Sequence, residues 1–376
     1  MDRNLYQKRL TKCTALMQND GLDVLLLTSR SNVFYLTGDY RPNTYALVSR
    51  SGKVALGVPE TDLADAQSLA HLDFLNGFED EASMIRCMRD QLQKLGINKG
   101  KLGLEYLNLT RSMYDLFAQS GLLPDDQVII QDCSFLLAEL RKVKDPDEID
   151  RIRVAARVAD TGMKAAVNAI KPGISESQLA AEAEFTMRQA GADGFLGTYV
   201  TFGQRTALSH GLPTQRKLKT GDMVCIDIHP SVAGYCADMC RTVCAGMPSP
   251  EQISAYDLYL STQQCSIFNS KPGTCVADIE NFFQESLNSA GHIHNKYDPP
   301  IHGVGIDLDD YPMTYSTAYL RNTSEPLTLL PNIVIAIGNS NLSTGAWGVR
   351  VEDTIWISNN GPIILTTYLR QLANMA

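Results

Sequence analysis

Two aspartates stand in otherwise apolar runs where such residues are costly. Val224-Cys225-Ile226-Asp227-Ile228-His229 is followed, after Pro230 to Gly234, by Tyr235-Cys236-Ala237-Asp238-Met239-Cys240-Arg241-Thr242. The flanks read as two antiparallel strands joined by a turn. Asp is disfavoured in strands and expensive to bury unless it is paired or metal-bound. Two carboxylates facing each other across a ladder repel unless a cation or a shared proton lies between them; the alternative is a pair of exposed strand ends. His229 lies two residues after Asp227, so on a strand both point to one face. Further along, His210 lies in Ser209-His210-Gly211, His302 in Ile301-His302-Gly303-Val304-Gly305, and Glu352 in Gly348-Val349-Arg350-Val351-Glu352-Asp353-Thr354. Each alone has a structural reading. Together, Asp, Asp, His and Glu form an oxygen and nitrogen ligand set suited to Mn, Fe, Co or Zn. Carboxylates that bridge two such ions would polarise a carbonyl and activate a water.

The elements that must position these groups follow from the rest of the chain. At 376 residues the chain exceeds one hydrophobic core, so two domains are expected. Hydrophobic residues make up 44%, charged residues 20%, and the net charge is −9, which argues against nucleic acid or an anionic membrane as partner. No signal core or run of 18 apolar residues occurs, and nine cysteines without a CxxC pair read as reduced thiols, so a cytoplasmic location is expected. Residues 1–135 alternate helical and strand patterns, which predicts a mixed sheet with helices around it. Within them 6–20, 60–70 and 81–95 have helical spacing, 24–27 and 102–105 read as strands, 46–58 as a hairpin, and 28–32 as a loop leading into an apolar segment at 33–36. Residues 136–145 form a junction. Asp145 is a candidate N-cap, with Pro146 at the first helical position and Glu148 at the third, so the second domain is placed at 146–376.

That second domain repeats itself. Lys171-Pro172-Gly173 recurs as Lys271-Pro272-Gly273, and Ala190-Gly191 as Ala290-Gly291, both at an offset of 100. Helix-like segments lie between, at 177–189 and 276–289. Two similar halves about a pseudo-twofold would place a site between them.

These residues resemble the pita-bread superfamily of methionine aminopeptidase, Xaa-Pro aminopeptidase, prolidase and creatinase. The likeness covers the whole chain. Ser31 to Gly38 resembles a loop-strand of the creatinase/prolidase N-terminal domain, and Leu140 to Ile149 its domain junction. Gly221-Asp222, Asp227, Gly234-Tyr235, Asp238, Arg241-Thr242 and Gly348 to Thr354 carry the likeness in the second domain. The resemblance implies an α/β fold, with a mixed α/β creatinase-type domain followed by a pita-bread domain with an internal pseudo-twofold repeat. It implies that Asp227, Asp238, His302 and Glu352 are metal ligands for one or two divalent ions per subunit, and that His210 faces the substrate. The family's further glutamate ligand aligns with Gly338, and its second active-site histidine with Asp309, which thereby becomes a candidate catalytic residue. His229, or Asp309 from across the cleft, is then a candidate to rebuild the site. Arg350 is expected to orient Glu352 or a substrate carboxylate. The resemblance also implies a homodimer, in which Arg41 or Arg30 would meet a substrate carboxylate.

The expected activity is metal-dependent hydrolysis of a small peptide or peptide-like amide of the Xaa-Pro type. One alternative is a creatinase-like C–N hydrolase or small-osmolyte lyase, metal-free or with one ion. The other is a non-catalytic module that binds peptide or protein.

Overall fold

The structure, a computed structural model, describes residues 3–119, 122, 128–289, 293–294, 299–313, 326–372 and 374–375. The chain divides into two compact units, Met1–Leu140 and Arg141–Ala376.

In the first unit α1 (Arg3–Asp20) leads to β1 (Val24–Leu27), α2 (Arg30–Thr37), β2 (Tyr45–Ser49) and β3 (Val54–Pro59). Then come α3 (Leu63–Leu69), β4 (Phe74–Phe78), α4 (Glu81–Lys94), β5 (Gly100–Leu104), α5 (Arg111–Gln119) and β6 (Val128–Asp132). The six strands form one mixed sheet in the order β4-β3-β2-β1-β5-β6, as the α/β alternation predicts. β2 and β3 are the expected hairpin, with Ala46 opposite Leu56. The segment at 28–36 differs from its expected form. Ser29 caps a helix, its side chain accepting from the Asn32 N–H, and Gly38 closes it at φ 83°. Val33-Phe34-Tyr35-Leu36 has the composition of a strand, but burial of six of the eight helical residues overrides that preference.

Helix α6 (Ser134–Lys142) spans the junction, and the second unit continues with α7 (Pro146–Ala169), α8 (Glu176–Gln189), β7 (Gly194–Phe202), β8 (Met223–Val232), β9 (Tyr235–Cys236) and β10 (Met239–Ala245). Next are α9 (Pro250–Asn269), α10 (Val276–Ser289), β11 (Ile293–His294), β12 (Ile301–Gly303), β13 (Asp310–Met313), β14 (Val334–Ile337), β15 (Leu342–Ser343) and β16 (Gly348–Val349). The last strands are β17 (Glu352–Ser358), β18 (Gly361–Ile364) and β19 (Asn374–Met375). Asp145 caps α7 as the sequence predicts: its side chain accepts from the Glu148 N–H while Glu148 reaches back, and Pro146 opens the helix.

The internal repeat has a physical counterpart. Each Lys-Pro-Gly turn joins two helices, α7 to α8 and α9 to α10, and each glycine takes a positive φ, 84° at Gly173 and 91° at Gly273. In each turn the glycine N–H donates to a distant leucine carbonyl, Leu218 or Leu329. One-residue β-bridges follow at Ser175–Lys217 and Cys275–Thr328. The second copy of Ala-Gly, Ala290-Gly291, lies outside the described residues. The main sheet runs β13-β12-β14-β17-β10-β8-β7. Its centre is the β10–β17 pair, with β8 and β7 from the first half on one side and β14 and β12 from the second half on the other. β11, β15 and β16 form a small separate sheet.

Candidate metal centre

Strand register assembles the centre. Tyr199 on β7 pairs with Asp227 on β8, Asp227 pairs with Cys240 on β10, and Cys240 pairs with Glu352 on β17. Paired residues project to the same side of a sheet, so one row crosses four strands and both halves of the repeat. Asp227 is therefore opposite Cys240, not Asp238. Asp238 precedes β10, and its backbone is fixed to β17, because its N–H donates to Thr354 Oγ1 (2.8 Å) and that hydroxyl donates to its carbonyl (2.8 Å). His302 comes from β12, so its ring enters from the second half.

Asp227, His229, Asp238, His302 and Glu352 are all buried. His229 Nε2 lies 3.1 Å from Asp227 Oδ1 and 3.3 Å from Asp238 Oδ1. His302 Nε2 lies 3.4 Å from Asp238 Oδ2 and 3.5 Å from Glu352 Oε1. These contacts are within ion-pair range, yet Asp227 Oδ1, Asp238 Oδ1 and Glu352 Oε1 have no aligned hydrogen-bond donor. Buried carboxylate oxygens without donors are strongly unfavourable. The two groups, Asp227–His229–Asp238 and Asp238–His302–Glu352, each place their ligand atoms within 4.8 Å of one another and share Asp238. Three unsatisfied oxygens beside two imidazoles are what a divalent cation requires, so the residues present fit a metal ion.

The electrostatics point the same way. Burial disfavours the charged form of His229, but Asp227 and Asp238 outweigh it and hold the ring well above the ordinary histidine range. Burial likewise opposes His302, and Asp238 and Glu352 raise it. Burial, then the charge of Asp238, pushes Glu352 up to about 7. Asp238, despite its burial, is held below the carboxylate range by His229 and His302. Positive charge is in demand throughout.

A cavity of about 330 Å³ opens on this cluster. Asp227, His229, Asp238 and His302 line it together with residues that include Leu196, Tyr199, His210, Asp307, Leu308 and Asp309. His210 is exposed, its ring 5.5 Å edge-on to that of Tyr199, which also stands 5.6 Å from His229. Asp309 is exposed too, with Oδ1 3.5 Å from His302 Nδ1. Of the two expectations for Arg350, orienting Glu352 or meeting a substrate carboxylate, its position suits the first. It is buried beneath the cavity, where Nη2 donates to Asp227 Oδ2, Nε approaches Cys240 Sγ at 3.3 Å, and Glu352 Oε2 lies 4.0 Å away. Arg41 belongs to the first unit, where its guanidinium binds Asp39 (2.9 Å), the Asp62 carbonyl (2.9 Å) and Asp65 (2.8 Å). Arg30 lies over the Tyr40 ring at 3.7 Å.

Tyr199 and Asn339 also line the cavity, and sequence reasoning passed over both. A tyrosine in a strand is unremarkable by propensity, and only its pairing with Asp227 marks it. At Gly338 the backbone has φ 121°, and an added Cβ would lie 2.0 Å from the Val351 carbonyl oxygen.

The chain belongs to metallopeptidase family M24, which residues 150–359 match, while residues 9–143 match the creatinase/prolidase N-terminal domain. It is 28% identical over 370 residues to an uncharacterized peptidase of Staphylococcus aureus, covering 96% of this chain and 99% of that one. A similar protein of Bacillus subtilis, also an uncharacterized peptidase, is 28% identical over 366 residues, 97% and 99% of the two chains. Among solved structures, the prolidase from Pyrococcus horikoshii superposes with a TM-score of 0.85 at 24% identity, covering 97% of this chain and 100% of its own. An Xaa-Pro dipeptidase from Bacillus anthracis gives 0.85 at 24%, covering 98% and 99%. At these identities the structural likeness is one of fold. No helix among the described residues is long and apolar enough to cross a membrane.

Proposed function

We propose that this chain is a metal-dependent hydrolase of short peptides or peptide-like amides of the Xaa-Pro class. The observation that carries the reading is the trio of buried carboxylate oxygens without donors, Asp227 Oδ1, Asp238 Oδ1 and Glu352 Oε1, beside His229 and His302 at the base of a cavity. The M24 match and the prolidase-type neighbours support the substrate class. Asp227, Asp238, His302 and Glu352 would hold a divalent ion, with His229 a further donor. When bound, it would supply a Lewis acid for the substrate carbonyl and a water of lowered pKa.

The chain's own residues do the rest. Arg350 fixes the Asp227 carboxylate from below, so that one oxygen stays turned to the cavity. His210, exposed at the cavity and edge-on to Tyr199, would exchange a proton with the substrate's amide nitrogen. Leu196 and Leu308 give the cavity an apolar part suited to a proline ring. Asp309 adds a negative charge at the same opening. The neighbours' dipeptide substrates suit a cavity of this size.

The test is a panel of Xaa-Pro dipeptides and longer Xaa-Pro peptides, assayed with Mn, Co and Zn and after chelation. Hydrolysis that chelation abolishes and metal restores is expected. A His210→Ala variant should lower kcat by about 10²–10⁴-fold. Hydrolysis unaffected by chelation refutes the metal-dependent reading. Cleavage confined to a non-peptide C–N bond moves the chain to the creatinase-like alternative.

A further inference from the structure

The His229 ring is held at one nitrogen by a backbone carbonyl. Its Nδ1 lies 3.0 Å from the Gly197 carbonyl oxygen. A carbonyl only accepts, so Nδ1 must carry the proton. The lone pair, or a proton that a metal can displace, then sits on Nε2. A ligating histidine typically has its other nitrogen anchored on a carbonyl in this way. Nε2 lies 3.1 Å from Asp227 Oδ1 and 3.3 Å from Asp238 Oδ1 without being aligned on either oxygen, and neither oxygen has another donor. Ligand atoms 2.0–2.2 Å from an ion at tetrahedral or octahedral angles stand roughly 2.8–3.6 Å apart. The two His229 distances lie in the middle of that range, and the His302 distances of the neighbouring trio lie at its upper end.

The neighbouring trio is less complete. Its histidine is anchored similarly, His302 Nδ1 lying 3.0 Å from the Gly303 carbonyl oxygen. Its Nε2 distances are longer, 3.4 and 3.5 Å, and of its carboxylate oxygens without a donor, Asp238 Oδ1 is shared with the first trio and only Glu352 Oε1 is its own. The chain passing beside Glu352 at position 338 offers no side chain, and the Val351 carbonyl occupies the place where one would begin. Charge within the buried cluster also favours one ion. Asp227, Asp238 and Glu352 carry three negative charges when ionised, and the buried Arg350 guanidinium on Asp227 cancels one. Two remain, which one divalent ion neutralises. A second ion would leave excess positive charge that only the exposed Asp309 at the cavity mouth could offset, and an exposed carboxylate is a weak counter-charge.

We propose that His229 is a metal ligand and that the centre holds a single divalent ion, bound by Asp227, His229 and Asp238 with His302 and Glu352 flanking it. This rests on the metal-binding part of the proposed function but not on its substrate.

The test is titration of the chelator-stripped full-length chain with Co²⁺, read by visible absorption and by metal content after desalting. One ion per chain is expected. His229→Ala should weaken Co²⁺ binding by at least about 100-fold, and more than His302→Ala does. Circular dichroism checks folding. Where the alanine variant does not fold, His229→Gln replaces it, and the wild-type stoichiometry decides independently. Two ions per chain, none, or unchanged binding in a folded His229 variant overturns the proposal. One ion bound through His229 without cleavage of any peptide refutes the peptidase reading and leaves this one standing. Peptide hydrolysis with two ions does the reverse.

Discussion

Glu352 and Asp353 are neighbours on β17, and their surroundings separate their roles. Successive strand residues face opposite sides of the sheet. Asp353 meets Arg241 Nη2 (2.6 Å), Gln263 Nε2 (2.9 Å) and Thr366 Oγ1 (2.8 Å), so its carboxylate is satisfied within the protein. Glu352 faces Asp238 and His302, and its Oε1 has no donor. A carboxylate that is buried and satisfied is a structural group; one that is buried and unsatisfied calls for a ligand. Asp353→Ala should accordingly destabilise the fold by about 3–5 kcal/mol, because it strands the buried Arg241 charge. Glu352→Gln should leave the thermal melting temperature of the metal-free protein unchanged or raised, while reducing the stabilisation that added metal confers. Melting curves of both variants with and without Co²⁺ check the pair; equal behaviour of the two would contradict the assignment.

At the scale of elements, the sequence carried the parts that depend on local pattern. Alternation around Asp227 and Asp238 specified adjacent strands, and β8 and β10 are antiparallel as read. Asp145, Pro146 and Glu148 specified the start of α7. The Lys-Pro-Gly pair specified the two matching interhelical turns, because glycine is needed where φ is near 84–91°. What depends on burial or long-range register was not legible. The helix Arg30–Thr37 was hidden by strand-forming residues, and the cross-strand row through Tyr199 appears only once β7 lies against β8. The burial of Arg350 under Asp227 likewise needs the sheet to be assembled. Gly338 belongs to this scale too. Its φ of 121° and the Val351 carbonyl 2.0 Å from an added Cβ mean that Gly338→Ala should cost about 2–3 kcal/mol in chemical denaturation. A Gly338→Ala protein as stable as the parent would show that β14 ends differently.

At the scale of the whole molecule, the second unit is fastened at its start by a buried ion cluster. Lys144 Nζ lies 3.0 Å from Asp310 Oδ2, and Arg141 Nη2 lies 3.2 Å from Asp310 Oδ1 and 2.6 Å from Asp307. Burial opposes ionisation of Asp310, but Arg141 and Lys144 hold its carboxyl below the ordinary aspartate range. A depressed folded-state pKa contributes stability that is present above the unfolded value, about 3.9, and is lost as pH falls through the folded value. Asp310→Asn should therefore melt below the parent at neutral pH, with the gap closing as pH drops below about 4. A gap independent of pH would assign the loss to packing instead of charge.

The central claim is that a divalent ion completes the cluster around Asp238, the residue both candidate ligand groups share. The most direct measurement is metal content per chain of protein purified without chelator, beside an Asp238→Ala variant shown to be folded. The account predicts bound divalent metal in the parent and its loss in the variant. A folded parent that takes up no divalent metal even when it is supplied, or a variant that retains it, would contradict the account.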